Sequence, residues 1–62
     1  MKQVDEMPTV GDFSAIIQYE DGIFGVNFRW DDGFLFVYRD GCCCEVFDPE
    51  FFKERECIFY VN

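Results

Sequence analysis

The chain has 62 residues, including nine Phe, three Tyr and one Trp, and its thirteen carboxylates face five Lys and Arg for a net charge of −8 with no His. A chain this short makes one domain at most and buries only about 60% of its unfolded surface, so aromatic side chains, at about 150–250 Å² each, must supply its core. The acidity disfavours direct binding to DNA, RNA or anionic membranes, and the 50% hydrophobic content excludes a disordered acidic tail.

Residues 1–10 show no clear period. Lys2–Val4 can add an edge strand, but Pro8 argues against a regular element there, and the segment reads as an N-terminal arm. From Gly11 to Glu20 the pattern is β: Phe13, Ala15, Ile17 and Tyr19 alternate with Asp12, Ser14, Ile16, Gln18 and Glu20. Asp21-Gly22 then suits a two-residue type I′ turn. That turn pairs Tyr19 with Phe24, Ile17 with Val26, Ala15 with Phe28 and Phe13 with Trp30, all on one face.

In Asp31-Asp32-Gly33 the glycine stands third, which suits a three-residue loop with a G1 bulge. Trp30 then opposes Phe34, Phe28 opposes Phe36, and Val26 opposes Tyr38. Arg39-Asp40-Gly41 has the same form and sets Tyr38 against Cys42, Phe36 against Cys44 and Phe34 against Val46. A two-residue loop there would put Glu45 on the core face, a costly place for an unpaired carboxylate. Asp48-Pro49-Glu50 reads as a capped helix start, with a helix over Pro49–Arg55 anchored by Phe51 and Phe52. Cys57–Val61 closes the chain as a β-strand, with either Cys57, Phe59 and Val61 or Ile58 and Tyr60 inward.

The expected fold is therefore mainly β: a five-stranded antiparallel meander, β-β-β-β-α-β, with one short helix before the last strand. Residues 1–10 form the arm and residues 11–62 a single small β domain. The order resembles SH3-like small barrels, where a short helical turn precedes the last strand, and that resemblance implies a partial barrel. A strongly twisted open sheet is the alternative. No ligand-groove motif such as ALYDY is present, so nothing follows about proline-rich ligands. The second face of the meander carries Ile16, Ile23, Leu35 and Val37 among Ser14, Gln18, Asn27, Arg29 and Arg39. It is too apolar for plain solvent surface, so it wraps into a barrel, lies under the helix, or binds another protein, a second copy included.

Chemistry-bearing groups are sparse. Cys42, Cys43 and Cys44 invite a metal reading with Cys57 as fourth ligand, but adjacent strand residues point to alternate faces and the spacing is not that of a zinc site. Cys42 and Cys44 are expected as small core residues and Cys43 as a surface thiol. With one Ser, one Thr and no His, nucleophilic triads cannot be assembled, so neither enzyme activity nor a cofactor is expected. No apolar run approaches the roughly 18 residues that span a membrane, and MKQVDEMPTV has no signal-like apolar region. A cytoplasmic protein with reduced thiols is expected.

The carboxylates are the candidate binding residues: Glu20, Asp21 and Asp40 at one end of the meander, Asp31 and Asp32 at the other, and Glu45, Asp48, Glu50, Glu54 and Glu56 on the fourth strand and helix. Carboxylates held about 6–7 Å apart on a rigid scaffold can imitate a phosphate backbone. In size, charge and aromatic content the chain is similar to small acidic phage and mobile-element proteins that inhibit host enzymes, the DNA mimics and anti-CRISPR proteins. That resemblance implies a protein-binding inhibitor that occludes the basic groove of a nucleic-acid-binding protein or nuclease complex. The alternative is an intracellular binding or assembly module, an immunity or antitoxin-like partner or a homodimer, that uses the apolar sheet face.

Overall fold

The structure is a computed structural model that describes residues 1–39 and 41–62, so the expectation for Asp40 lies outside the described residues. Six strands form one antiparallel sheet: β1 (Lys2–Val4), β2 (Asp12–Tyr19), β3 (Gly22–Asp31), β4 (Phe34–Arg39), β5 (Cys42–Val46) and β6 (Cys57–Val61). Their order is β1-β6-β2-β3-β4-β5. The meander β2 to β5 is as expected. The last strand inserts between β1 and β2, and Lys2–Val4 pairs with it to make a sixth strand instead of five. β1 and β5 are edges on opposite sides, so the sheet is not closed into a barrel, in line with the open-sheet alternative.

One face of the sheet is covered by chain and not by closure of the sheet. Between β5 and β6 the segment Phe47–Glu56 crosses it, carrying a 3-10 helix, Pro49–Glu54, where an α-helix to Arg55 is expected. Asp48 caps that helix by accepting from the Glu50 N–H at 3.0 Å, and Pro49 opens it. Phe52 points into the sheet and is buried. Its ring lies 5.3 Å from that of Phe28, 5.4 Å from Phe59, 5.5 Å from Phe47 and 6.5 Å from Phe13, mostly edge to face. On the other side of the crossing, Met7 packs on the same core, and the Trp30 indole donates to the Pro8 carbonyl at 2.7 Å. That bond, with Trp30 N–H to the Gly11 carbonyl at 2.9 Å, orders the arm.

The register departs from expectation at all three hairpins. In the first, Tyr19 pairs with Gly22, Ile17 with Phe24, Ala15 with Val26 and Phe13 with Phe28. The turn is Glu20-Asp21, one residue earlier than expected. The pairing moves by two residues, so the buried face is unchanged and Phe13, Ala15 and Ile17 are core. The gain is a stacked Phe13–Phe28 pair, 5.2 Å between ring centroids, which frees Trp30 to hold the arm.

In the second hairpin Asp31 pairs with Phe34 and Trp30 with Leu35. Asp32 and Gly33 have φ of 52° and 80°, the two left-handed residues of a type I′ turn, so the loop has two residues and not three. This one-residue slip exchanges the faces of β4. Leu35 (1% exposed) and Val37 are core, while Phe34 is 57% exposed and Phe36 and Tyr38 are half-buried on the opposite face. The physical reason is volume. Phe28, Phe47, Phe51 and Phe52 already form one packed cluster in the core that Leu35 and Val37 join, and the Phe47 N–H donates to the Leu35 carbonyl at 2.8 Å, so the smaller side chains suit the core face.

In the third hairpin Arg39 pairs with Cys42 and Tyr38 with Cys43, then the register shifts and Val37 pairs with Glu45. Cys44 is the extra residue. Every residue of β5 is exposed, so the expectation of Cys42 and Cys44 in the core fails. Glu45 shares the core side with Val37, but it stands at the sheet edge in solvent, and its charge is not desolvated. In β6 the inward set is Cys57, Phe59 and Val61.

The slip in the second hairpin can be checked by two neighbours. Leu35→Ala should cost about 2–5 kcal/mol in urea unfolding, and Phe34→Ala no more than about 0.5 kcal/mol. The reverse ranking would restore the three-residue loop.

Candidate protein-binding surface

Strand direction sorts the carboxylates. β1 and β2 run one way and β6 and β3 the other, so the residues after β1, between β2 and β3, and before β6 meet at one end of the sheet. These are Asp5 and Glu6, Glu20 and Asp21, and Glu54 and Glu56, all exposed. The four strands that present them are adjacent, so the acidic end spans three strand spacings, about 14–15 Å. The Arg55 guanidinium lies in the same region, 4.4 Å over the Phe51 ring and 5.8 Å from that of Tyr19. Arg39 closes β4 at this end as well.

The remaining candidates are elsewhere. Asp31 ends β3 and Asp32 lies in the turn at the opposite end. Glu45 is on edge strand β5, well apart from Glu54 and Glu56 in the sheet order. Asp48 is engaged as the helix cap, and Glu50 accepts from Lys53 Nζ at 3.0 Å. The carboxylates of β5 and the 3-10 helix, expected with Glu56 as one acidic group, are therefore not brought together as one. Asp5 and Glu6 join the acidic end without a sequence signal, because only the pairing of β1 with β6 brings the arm there.

The uncovered face of the sheet is different in character. One cross-strand row runs through Gln3, Tyr60, Ser14, Asn27, Tyr38 and Cys43, spanning all six strands. Ser14 Oγ donates to Asn27 Oδ1 at 2.7 Å. Next to this row Arg29 donates to both oxygens of Asp12, at 2.5 and 3.0 Å, and from Nη1 to Tyr38 Oη at 3.1 Å. Its guanidinium lies 4.4 Å from the centre of the Tyr38 ring. The Arg29 hydrogen bonds hold the Asp12 carboxyl below the ordinary value of 3.8 and raise the guanidinium. The ion pair is internally neutral, Phe36 pairs with Arg29 beside it, and Ile16, Ile23 and Ile58 lie further along the same face, which is therefore largely apolar in a strongly acidic protein. A shallow depression of about 320 Å³ lies over Ser14, Asn27, Arg29 and Tyr60.

Among the described residues no three His, Cys, Asp or Glu are grouped to hold a metal ion, and no helix is long and apolar enough to cross a membrane. Cys42, Cys43 and Cys44 are free and exposed, whereas Cys57 is partly buried and burial raises its thiol pKa against the opposing pull of Arg55. Comparison with protein-family models, with curated proteins and with solved structures finds no match.

Two measurements test this surface. Iodoacetamide labelling of the folded protein should modify three thiols quickly and Cys57 slowly, as read by mass spectrometry of its peptides. Carbon-detected NMR titration should place the Asp12 midpoint below 3.8, moving up towards that value in Arg29→Met. Because the folded value is depressed, the contribution of this carboxylate to stability is present above pH 3.8 and is lost as pH falls through the lower folded midpoint.

Proposed function

We propose that the protein is a small acidic binding protein that occludes the basic nucleic-acid-binding surface of another protein, in the manner of a DNA mimic. The observation that carries this reading is the gathering of Asp5, Glu6, Glu20, Asp21, Glu54 and Glu56 at one end of a rigid sheet, with Arg39 and Arg55 as the cations near them. Carboxylates just beyond the ends of strands spaced about 4.8 Å apart would present an anionic ridge on the length scale of a phosphate backbone. Lys and Arg of a nucleic-acid groove would meet that ridge in place of phosphates, with Phe24 and Tyr19 beside it as apolar contacts. The net charge of −8 steers a basic partner and repels nucleic acid itself.

A second reading uses the uncovered face. The neutral Asp12–Arg29 pair among apolar side chains favours assembly with an uncharged surface, a second copy among the possibilities. The two readings differ in their response to salt.

Immobilised protein in a cell lysate should capture basic nucleic-acid-binding proteins at low salt. These should elute both when salt rises to several times the physiological level and when duplex DNA is added. Reversal of Glu20, Asp21, Glu54 and Glu56 to Lys should abolish the capture, while Asp31→Lys with Glu45→Lys should leave it largely intact. Capture that survives high salt and charge reversal, and is instead lost on Phe36→Lys, would overturn the acidic-end reading in favour of the uncovered face.

A further inference from the structure

The two outer edges of the sheet are protected against further pairing. β5 carries the irregularity at Cys44 and a charge, Glu45, on its inner side. β1 has three residues and begins with Lys2. A third edge lies inside the sheet. Gly22–Arg29 of β3 pair with β2, but among the described residues β3 meets β4 only from Asn27↔Tyr38 to Asp31↔Phe34. Among the described residues Gly22-Ile23-Phe24-Gly25-Val26 therefore shows pairing on the β2 side alone. In an antiparallel sheet the N–H and C=O of a given residue point to the same side, so alternate residues of this segment direct both groups to the open side.

This inner edge has none of the protective devices. It contains no charge, no Pro and no bulge, and it is rich in strand-forming side chains, with Ile23 68% and Phe24 46% exposed. A cleft of about 730 Å³ lies beside it. Tyr19, Phe24 and Val26 line the cleft from β2 and β3, and Tyr38 and Arg39 line it from β4. Five residues of strand offer about 17 Å of edge. The Glu20-Asp21 turn that opens the segment sets a negative potential over one end of it.

We infer that Gly22–Val26 accepts an extended segment of a partner protein by strand addition, and that the segment alternates apolar residues with Lys or Arg. Main-chain hydrogen bonds to β3 supply its alignment, apolar side chains enter the cleft against Phe24 and Val26, and the basic ones meet Glu20 and Asp21. A second copy of this chain is the poorer occupant, because each copy carries a net charge of −8. The inference goes beyond the acidic-ridge reading. It shares a basic partner with it, but it depends on backbone pairing, and its failure would leave the salt and charge-reversal results standing.

The probe is a capped heptapeptide alternating Lys and Val, added to the ¹⁵N-labelled full chain. Its two control versions are N-methylated on one or the other alternating set of backbone amides, with charge unchanged. The unmodified peptide should slow amide exchange at alternate residues of Gly22–Val26. One methylated version should bind about tenfold or more weakly, for loss of two or three hydrogen bonds, and the other should bind nearly as well. Equal binding of all three peptides, or no protection within Gly22–Val26, would overturn strand addition. Protection of the same amides by raised protein concentration without peptide would assign the edge to a second copy and overturn the peptide as occupant.

Discussion

The seating of Phe52 against one face of the sheet is the interaction on which the rest of the structure depends. A 3-10 helix of six residues has no stability of its own, and its hydrogen-bond geometry is poor. What fixes it is the Phe52 ring among those of Phe13, Phe28, Phe47 and Phe59, with Asp48 and Pro49 setting the entry of the chain. Those rings belong to β2, β3, the crossing segment and β6, so one side chain ties together elements far apart in sequence. The same crossing covers the sheet, which is why it need not close into a barrel to bury its core.

The space left beneath the sheet then selects the register of β4. With Phe rings supplied from below, Leu35 and Val37 fit where Phe34, Phe36 and Tyr38 would overfill. The left-handed Asp32-Gly33 turn enforces the same choice locally. Turn chemistry and core volume agree, and the consequence reaches the surface. The aromatic side chains displaced from the core appear on the uncovered face, where Phe36 and Tyr38 flank Arg29 from β4. The character of that face thus follows from how the opposite one is filled.

Charge is distributed with equal consequence. Carboxylates are concentrated in turns and crossings, where strand direction sorts them to the ends of the sheet, while the uncovered face holds an internally compensated pair. The outer edges carry Glu45 and Lys2, but among the described residues the N-terminal half of β3 pairs with β2 alone, because β4 is shorter than β3. A short neighbour, and not any unusual residue, creates that exposed backbone. Composition alone gives no sign of it.

The sequence by itself determined the β class, the meander order, the buried face of β2, the cap at Asp48 and the overall acidity. These rest on local quantities: a period of two, turn-forming residues and net charge. It determined parity in the first hairpin but not register, because a shift of two residues keeps every side chain on its face. The face of β4 was not legible, because both of its faces are apolar and local pattern could not weigh the volume of Phe52 arriving from another segment. The exposure of Cys42 and Cys44 likewise depended on β5 being an edge. Only the tertiary structure decided that Asp5 and Glu6 stand with Glu20, Asp21, Glu54 and Glu56, and that among the described residues Gly22–Val26 pairs on one side alone. Both follow from which strands are neighbours and how far each one runs, and neither is encoded in any single stretch of chain.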